Sequence, residues 1–275
     1  MLKTALDLAI QQLATVTDTP RLEAEIFLAH VLQVNRSYLH TWPEKILTAT
    51  QQADFLKFIE RRLQGTPVAY LIGHRGFWSI DLAVTPDVLI PRPETELLVE
   101  LVLKQIQIKN AVIADLGTGS GAIALALAHD RPDWQVYATD ASQAALNVAK
   151  SNAARLHLEQ VQFRQGVWCQ ALPAIQFDAI VSNPPYIAED DVHLGQGDLR
   201  FEPRSALVSK GCGLNDLQHI IIEARNYLKP GGYLFLEHGF EQAKDVATFF
   251  TKADYTLITR YADIAGLDRV TIACR

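Results

Sequence analysis

The tetrapeptide Asn183-Pro184-Pro185-Tyr186 gathers hydrogen-bond acceptors and removes donors. Neither proline has an N–H, and each fixes φ, so the carbonyls of this run are free to point into a pocket. Asn183 precedes a proline and is held extended. The Asn183 side-chain oxygen and at least one backbone carbonyl then form an acceptor cluster, and Tyr186 lays a flat aromatic face beside it. Such a cluster suits a planar –NH2 group, which gives up two N–H bonds while it stacks on the ring. An amide nitrogen is a poor nucleophile because its lone pair is delocalised into the carbonyl. Holding both hydrogens stabilises the positive charge that develops as the nitrogen attacks an electrophile. This is positioning plus electrostatics, with no strong general base. A plain turn is the competing reading of the same four residues.

A second motif lies upstream. The stretch ADLGTGSGAIALALA (114–128) reads as a strand, a glycine loop and a helix. Gly117, Gly119 and Gly121 let the backbone turn sharply and approach a ligand where a Cβ would clash. Gly117-x-Gly119-x-x-Ala122 also satisfies the dinucleotide fingerprint, so an NAD-binding oxidoreductase is a rival. Asp140 ends the next strand, nineteen positions beyond Gly121, where an acidic residue holds ribose hydroxyls in either NAD or S-adenosylmethionine. Asp115 is placed to face a cationic amino-acid tail, which NAD lacks, or to orient the loop. A hydride-transfer site also needs a proton relay, for which no His or Tyr stands ready. A methyl sulfonium needs only the acceptor pocket.

Alternating elements position these motifs. Ala111–Leu116, Gln135–Asp140, Gln160–Arg164, Phe177–Ser182 and Tyr233–Glu237 are short apolar runs, mostly separated by helical stretches. This predicts a mostly parallel sheet with helices on both faces. Tyr255–Tyr261 and Arg269–Ala273 are read as a closing antiparallel pair, making seven strands. In that topology the fourth strand ends beside the first, so Asn183–Tyr186 faces the glycine loop. Ahead of the sheet, Thr19 and Pro20 mark a helix start, and Ala24, Phe27, Leu28, Val31 and Leu32 share one helical face. A further helix is predicted from about Gln51 to Leu63. The reading divides the chain into a helical domain over 1–73, read as a docking platform, a hairpin connector over 74–92, and a catalytic domain over 93–275.

The totals set limits. In 275 residues, 49% are hydrophobic and 20% charged, as in an ordinary globular chain long enough for one large domain and a smaller one. No apolar run reaches the roughly 20 residues needed to cross a bilayer, and the N-terminus does not read as a signal peptide. Cys169, Cys212 and Cys274 stand alone, which suits a reducing cytoplasm and no structural metal. The net charge of −6 and the nearly neutral first 80 residues, with eight Lys/Arg and seven Asp/Glu, speak against a nucleic-acid footprint.

Asn183–Tyr186, Asp115–Gly121 and the segment IPRPETE (90–96) together resemble the peptide chain release factor glutamine methyltransferases, the PrmC/HemK family. The likeness extends over GDLRFEPRSAL (197–207) and LEHGFEQ (236–242) to nearly the whole chain. It implies a class I S-adenosylmethionine-dependent methyltransferase: a Rossmann-like, mostly parallel seven-stranded sheet behind a small N-terminal helical bundle. It implies N5-methylation of the glutamine in the Gly-Gly-Gln motif of class 1 release factors. The sibling activity on a ribosomal-protein glutamine is the first alternative, and a nucleic-acid base amino-methyltransferase the second. By position, Gly117, Thr118, Gly119, Ser120 and Gly121 cradle the methionine moiety, Asp140 binds the ribose and Trp168 lies against the adenine. Asn183 touches cofactor and substrate, and Pro184, Pro185 and Tyr186 complete the amide site, with Asn183, Pro184 and Tyr186 as catalytic residues. The family's usual Gly-Asp-Trp reads Gly166-Val167-Trp168 here, so adenine is held by packing on Trp168 or by another acceptor. Arg92 and Glu94 to Glu96 cover the cofactor or cap a helix, His238 orients or packs, with a general base as the lesser reading, and the loop Ile187–Ser209 is a lid or an ordered surface loop. No direct nucleic-acid partner and no membrane are expected.

Overall fold

The computed structural model describes all 275 residues, which fall into two compact units. The first takes Met1–His74 together with His193–Phe201. Its helices are α1 (Leu2–Leu13), α2 (Pro20–Leu32), α3 (Arg36–Thr41), α4 (Ala49–Leu63) and α5 (Val68–Ile72). Leu2, Leu6 and Leu13 of α1, Phe27 and Leu28 of α2, and Phe55 and Ile59 of α4 bury against one another as its core. A reciprocal capping box starts α4: Thr48 Oγ1 accepts from Gln51 N at 3.2 Å, and Gln51 Oε1 accepts from Thr48 N at 3.0 Å. Thr19 does stand at the N-cap of α2, but its side chain makes no capping bond; Pro20 in the first turn carries the start instead. The appended segment 193–201 departs from the linear division of the chain. Its Asp198 accepts from Arg62 Nη1 at 3.3 Å, while Arg62 Nε donates to the buried Glu23 at 2.7 Å. A buried guanidinium needs more than one acceptor; the Gly65 and Thr66 carbonyls accept from Nη1 as well, and Asp198, 136 positions away, adds a second carboxylate.

The second unit takes Arg75–Val192 and Glu202–Arg275. A short pair, β1 (His74–Phe77) and β2 (Ile80–Ala83), forms a two-stranded sheet. Pairing stops there, so only the first half of the expected 74–92 hairpin is one; 84–92 runs as irregular chain. Then follow α6 (Glu96–Gln105), β3 (Val112–Leu116), α7 (Ala122–Asp130), β4 (Gln135–Asp140), α8 (Gln143–Arg155), β5 (Gln162–Gln165) and β6 (Phe177–Ser182). The remainder is α9 (Arg204–Leu207), α10 (Lys210–Gly213), α11 (Asn215–Tyr227), β7 (Leu228–Glu237), α12 (Ala243–Lys252), β8 (Thr256–Ala262) and β9 (Asp268–Cys274).

Seven strands form one sheet in the order β5-β4-β3-β6-β7-β9-β8. All are parallel except β9, which runs against β7 and β8. Strand alternation feeds two cores. Ile113, Ala179, Val181 and Phe235 face the layer of α6, α7 and α8, and Ala114, Leu116, Ile180 and Leu234 face α11 and α12. All six residues of β6 are buried, as a central parallel strand requires. Its Asp178 is tolerated because Lys229 Nζ and Val112 N both donate to it at 2.8 Å. β7 begins at Leu228, five residues before the expected start, because its pairing with β6 slips over Pro230-Gly231-Gly232 between Leu228 and Tyr233.

Asn152, fully buried on α8, ties β2 to the glycine loop. It accepts from Ala83 N at 2.7 Å and donates to Ala83 O at 3.0 Å and Ser120 O at 2.9 Å. Asn152→Ala orphans all three backbone groups, and each buried unpaired group costs about 1–3 kcal/mol. Chemical denaturation of the variant is expected to show a loss of about 3 kcal/mol or more.

Candidate active site

The register of β3 against β6 pairs Leu116 with Ser182, so the two chains leave the sheet level with each other. Ser182 Oγ donates to Leu116 O at 2.7 Å and pins that level. On the β3 side, Gly117 N and Thr118 N both donate to Thr139 O of β4, at 2.9 and 2.8 Å, which lifts the glycine loop over the sheet end. Gly117 adopts φ +73°, and a Cβ there would stand 3.1 Å from the Trp168 ring. Trp168 itself sits at φ 45°, rare for a bulky residue, and so turns its indole under the loop.

A cleft of about 890 Å3, counted out to its open mouth, lies above these residues. Gly117, Gly119, Asp140, Trp168, Asn183 and Pro185 line it. Asp140 is locked by two backbone donors, Gly119 N to Oδ2 at 2.9 Å and Ser142 N to Oδ1 at 2.8 Å. Each oxygen keeps a lone pair for a hydroxyl, and burial raises the carboxyl's pKa despite these bonds. The other predicted loop residues build the cradle without lining it. Thr118 Oγ1 donates to Asp115 Oδ2 at 2.6 Å, the Ser120 carbonyl accepts from Asn152, and Gly121 gives α7 room against Leu125 and Ala149. Asp115 also accepts from Ala124 N at 3.2 Å, so it orients the loop and the first turn of α7, and it does not line the cleft. Its other oxygen has no partner, and burial pushes its pKa up to about 7.

On the β6 side, Asn183 Nδ2 donates to Thr95 Oγ1 at 3.0 Å. Pro184 and Pro185 are buried, and Pro185 reaches the cleft wall while Pro184 does not. Tyr186 is half-buried behind the wall, its hydroxyl donating to Glu237 Oε1 at 3.2 Å and its carbonyl accepting from Gln242 Nε2 at 2.9 Å. Burial, first, holds the phenol well above its ordinary pKa. Gly213, at φ +82°, backs directly onto the Tyr186 carbonyl, where no Cβ fits.

The flanking residues have these partners. Arg92 pairs with the buried Glu202, whose Oε1 accepts from Ile90 N at 3.1 Å, and Glu96 accepts from Trp78 N at 2.9 Å. These residues anchor the irregular stretch before α6, and the stretch itself supplies Asp87, Val88 and Leu89 to the cleft. His238 is fully buried with Nε2 on Thr271 Oγ1 at 2.8 Å and Nδ1 on Gly239 O at 2.9 Å, an orienting role. The loop after Ile187 is ordered by 3-10 turns and by backbone bonds from Ile187 N to Leu207 O and Ser209 N to Ile187 O. Sequence reasoning missed Gly213 and Asp216, and it touched Thr95, Glu237 and Gln242 only as members of the segments 90–96 and 236–242 without giving any of them a role of its own. Asp216, in the first turn of α11, lines the cleft on the Val167 and Trp168 side.

Known proteins resemble this arrangement. The PrmC N-terminal domain description matches residues 4–73, and the methyltransferase small domain matches residues 93–212. A release factor glutamine methyltransferase of Coxiella burnetii is 50% identical over 266 residues, covering 96% of this chain and 95% of that protein. One from Salmonella typhimurium is 48% identical over 263 residues, covering 96% and 95%. Among solved structures, a methyltransferase from Pyrococcus furiosus superposes with a TM-score of 0.55 at 19% identity, covering 78% of this chain and 96% of that one. That last likeness speaks for the fold alone.

Asp115 makes a pH prediction. Its folded pKa of about 7 lies above the ordinary aspartate value of 3.8, so the stability it allows is fully present below about pH 4 and is lost as pH rises through 7. Asparagine can accept the same two bonds without ionising. The drop in denaturation midpoint between pH 5 and pH 8 is therefore expected to be smaller in Asp115→Asn than in the parent; an equal or larger drop contradicts the assignment.

Proposed function

The chain belongs to the release factor glutamine methyltransferases, and from that premise we propose how its cleft methylates the glutamine side-chain amide of a release factor. The residues fit S-adenosylmethionine: Gly117 and Gly119 offer a backbone surface without Cβ atoms, Asp140 offers two pre-oriented acceptors, and Trp168 offers a ring. When bound, that cofactor supplies an electrophilic methyl group on a sulfonium.

The chain's own residues do the rest. Asn183 Oδ1 accepts one hydrogen of the glutamine amide, and a backbone carbonyl of the double-proline run accepts the other. Tyr186, anchored at its hydroxyl by Glu237 and at its carbonyl by Gln242, gives the amide plane a surface. The pairing holds the nitrogen in line and stabilises the positive charge that forms on it. The nitrogen sheds a proton only after alkylation has made it acidic, so the pocket needs no strong base. The single observation that carries this reading is that Asn183 Nδ2 is committed to Thr95, which leaves Oδ1 as the atom available to a substrate.

Adenine recognition is assigned to Trp168 for packing and to Asp216 as the acceptor for the exocyclic amino group, in place of a carboxylate at Val167. The glutamine is that of the Gly-Gly-Gln motif, and the helical unit over residues 1–73 is the platform on which the release factor docks.

A labelled-methyl assay checks the substrate: label is expected on the release factor and lost when the Gly-Gly-Gln glutamine is changed. Label on a ribosomal protein or duplex DNA, with the release factor blank, would overturn it. Asn183→Ala is expected to lower kcat by about 100-fold or more, the usual effect of removing one transition-state hydrogen-bond group. In calorimetry, Asp216→Ala is expected to weaken S-adenosylhomocysteine binding about tenfold, a loss of one charge-assisted hydrogen bond. An S-inosylhomocysteine analogue, which carries a carbonyl in place of the adenine amino group, should bind the variant at least as well as the parent.

A further inference from the structure

Tyr186 is the first residue after the double proline whose φ no ring fixes, so the direction of its side chain depends on how the peptide that follows it is held. That peptide is held at both ends: Ile187 N donates to Leu207 O at 2.9 Å, and the Tyr186 carbonyl accepts from Gln242 Nε2 at 2.9 Å. The phenol hydroxyl donates to Glu237 Oε1 at 3.2 Å and fixes the far end of the ring. We propose that Gln242 is a positioning residue for methyl transfer: its side-chain amide locks the Tyr186 peptide and so sets the ring against which the substrate amide lies.

The partners of the Gln242 amide are backbone groups, whose donor and acceptor roles cannot be exchanged. Oε1 accepts from Gly239 N at 2.9 Å. Nε2 gives one hydrogen to Tyr186 O and the other to Cys212 O at 3.4 Å. Turned the other way, the amide would set two donors together at Gly239 and oxygen against oxygen at both carbonyls, which is disfavoured at every contact. One orientation is therefore allowed, and it spends the Tyr186 carbonyl on Gln242, away from the cleft. Gly239 is itself held in place: its carbonyl accepts from Gln242 N at 2.9 Å and lies 2.9 Å from Nδ1 of the buried His238, whose Nε2 rests on Thr271 of β9. The anchor thus runs back into the sheet.

The segment that closes over this bond is strained. Gly211, Cys212 and Gly213 of α10 stand at φ +62°, +59° and +82°, three left-handed residues in succession, where such residues normally occur singly. Strain of this kind persists only where the surroundings impose it, and it gathers at working sites. Here it turns the Cys212 carbonyl to Gln242 and lays Gly213 so close to the Tyr186 carbonyl that a Cβ would strike both that oxygen and Gln242 Nε2. Two later stretches of chain, α10 and the turn after β7, therefore grip a single peptide group at the end of the double-proline run.

This inference rests on the proposed role of Tyr186 in the amide site, so its test has an arm that does not need turnover. Tyr186-Ile187 is the one Tyr-Ile pair in the chain, so 13C-carbonyl tyrosine combined with 15N isoleucine gives a single signal for that peptide. Its carbonyl shift is expected to move in Gln242→Met, which removes donor and acceptor, and in Gln242→Glu, which keeps the acceptor for Gly239 and loses the donor. With release factor and S-adenosylmethionine saturating, kcat is expected to fall about tenfold in both, the rate equivalent of one lost hydrogen bond. Affinity for S-adenosylhomocysteine and KM for the release factor should stay within about threefold. Gly213→Ala, which pushes on the same carbonyl with Gln242 in place, is expected to lower kcat likewise. A parent kcat in Gln242→Glu or in Gly213→Ala, an unmoved Tyr186 carbonyl signal in Gln242→Met, or a loss of cofactor affinity in step with kcat would overturn the proposal. A parent that transfers no methyl to the release factor would instead strike the substrate reading, and the carbonyl signal would still decide whether Gln242 holds the peptide.

Discussion

Two successive prolines take two N–H groups out of the end of β6, and the surroundings of the cleft answer that subtraction. A strand end stripped of donors presents acceptors, which attract a substrate rich in N–H but do nothing to hold their own chain in place. Rigidity has to come from side chains. Ser182 hooks onto the Leu116 carbonyl, Asn183 onto Thr95, the Tyr186 hydroxyl onto Glu237, and Gln242 reaches back to the Tyr186 carbonyl. Gly213 lets the chain pack against that carbonyl from behind. Each of these bonds is spent away from the cleft, so that the acceptors left over are the ones a primary amide can use.

The opposite wall obeys a complementary rule. There the glycine loop withdraws side chains, and the backbone comes to rest on Thr139 and Asp140. Because β3 and β6 are parallel neighbours in register, both walls rise from the same sheet edge, as ligand sites on open parallel sheets do. Carboxylates at strand ends serve both sides. Asp115 shapes the loop and Glu237 the amide pocket, each fully enclosed and each with its pKa raised by burial. Neither acts on a substrate proton. They act as fixed acceptors that give the neighbouring hydroxyls a direction, which is electrostatic preorganisation built from inside the protein.

What was readable in the sequence was what is local in it. The glycine loop, the strand before it and Asp140 lie within a short span, and Asn183–Tyr186 is contiguous, so residue type and spacing placed them and predicted their meeting. Seven strands, a parallel core and the helical N-terminal unit followed from periodicity. Contacts that close over long separations were not readable. Thr95 meets Asn183 across 88 positions, and Asp198 joins Arg62 across 136. The start of β7 was misjudged because Pro230-Gly231-Gly232 reads as a breaker, whereas here it forms an irregularity inside a continuing strand. Nor does spacing reveal that Thr118, Ser120 and Gly121 build the cradle from behind while Asp87 to Leu89, in an irregular stretch, line the cleft.

The central claim is that the pocket reads the two hydrogens of a primary amide. The measurement that tests it most directly is calorimetric binding of three release-factor peptides, in the presence of S-adenosylhomocysteine, that differ only in the target side chain: glutamine, its N5,N5-dimethyl amide, and glutamate. The account predicts that glutamine binds best and that the other two bind at least about tenfold more weakly, since neither an alkylated amide nor a carboxylate has hydrogens to give. Equal affinity for glutamate or for the dimethyl amide would contradict it.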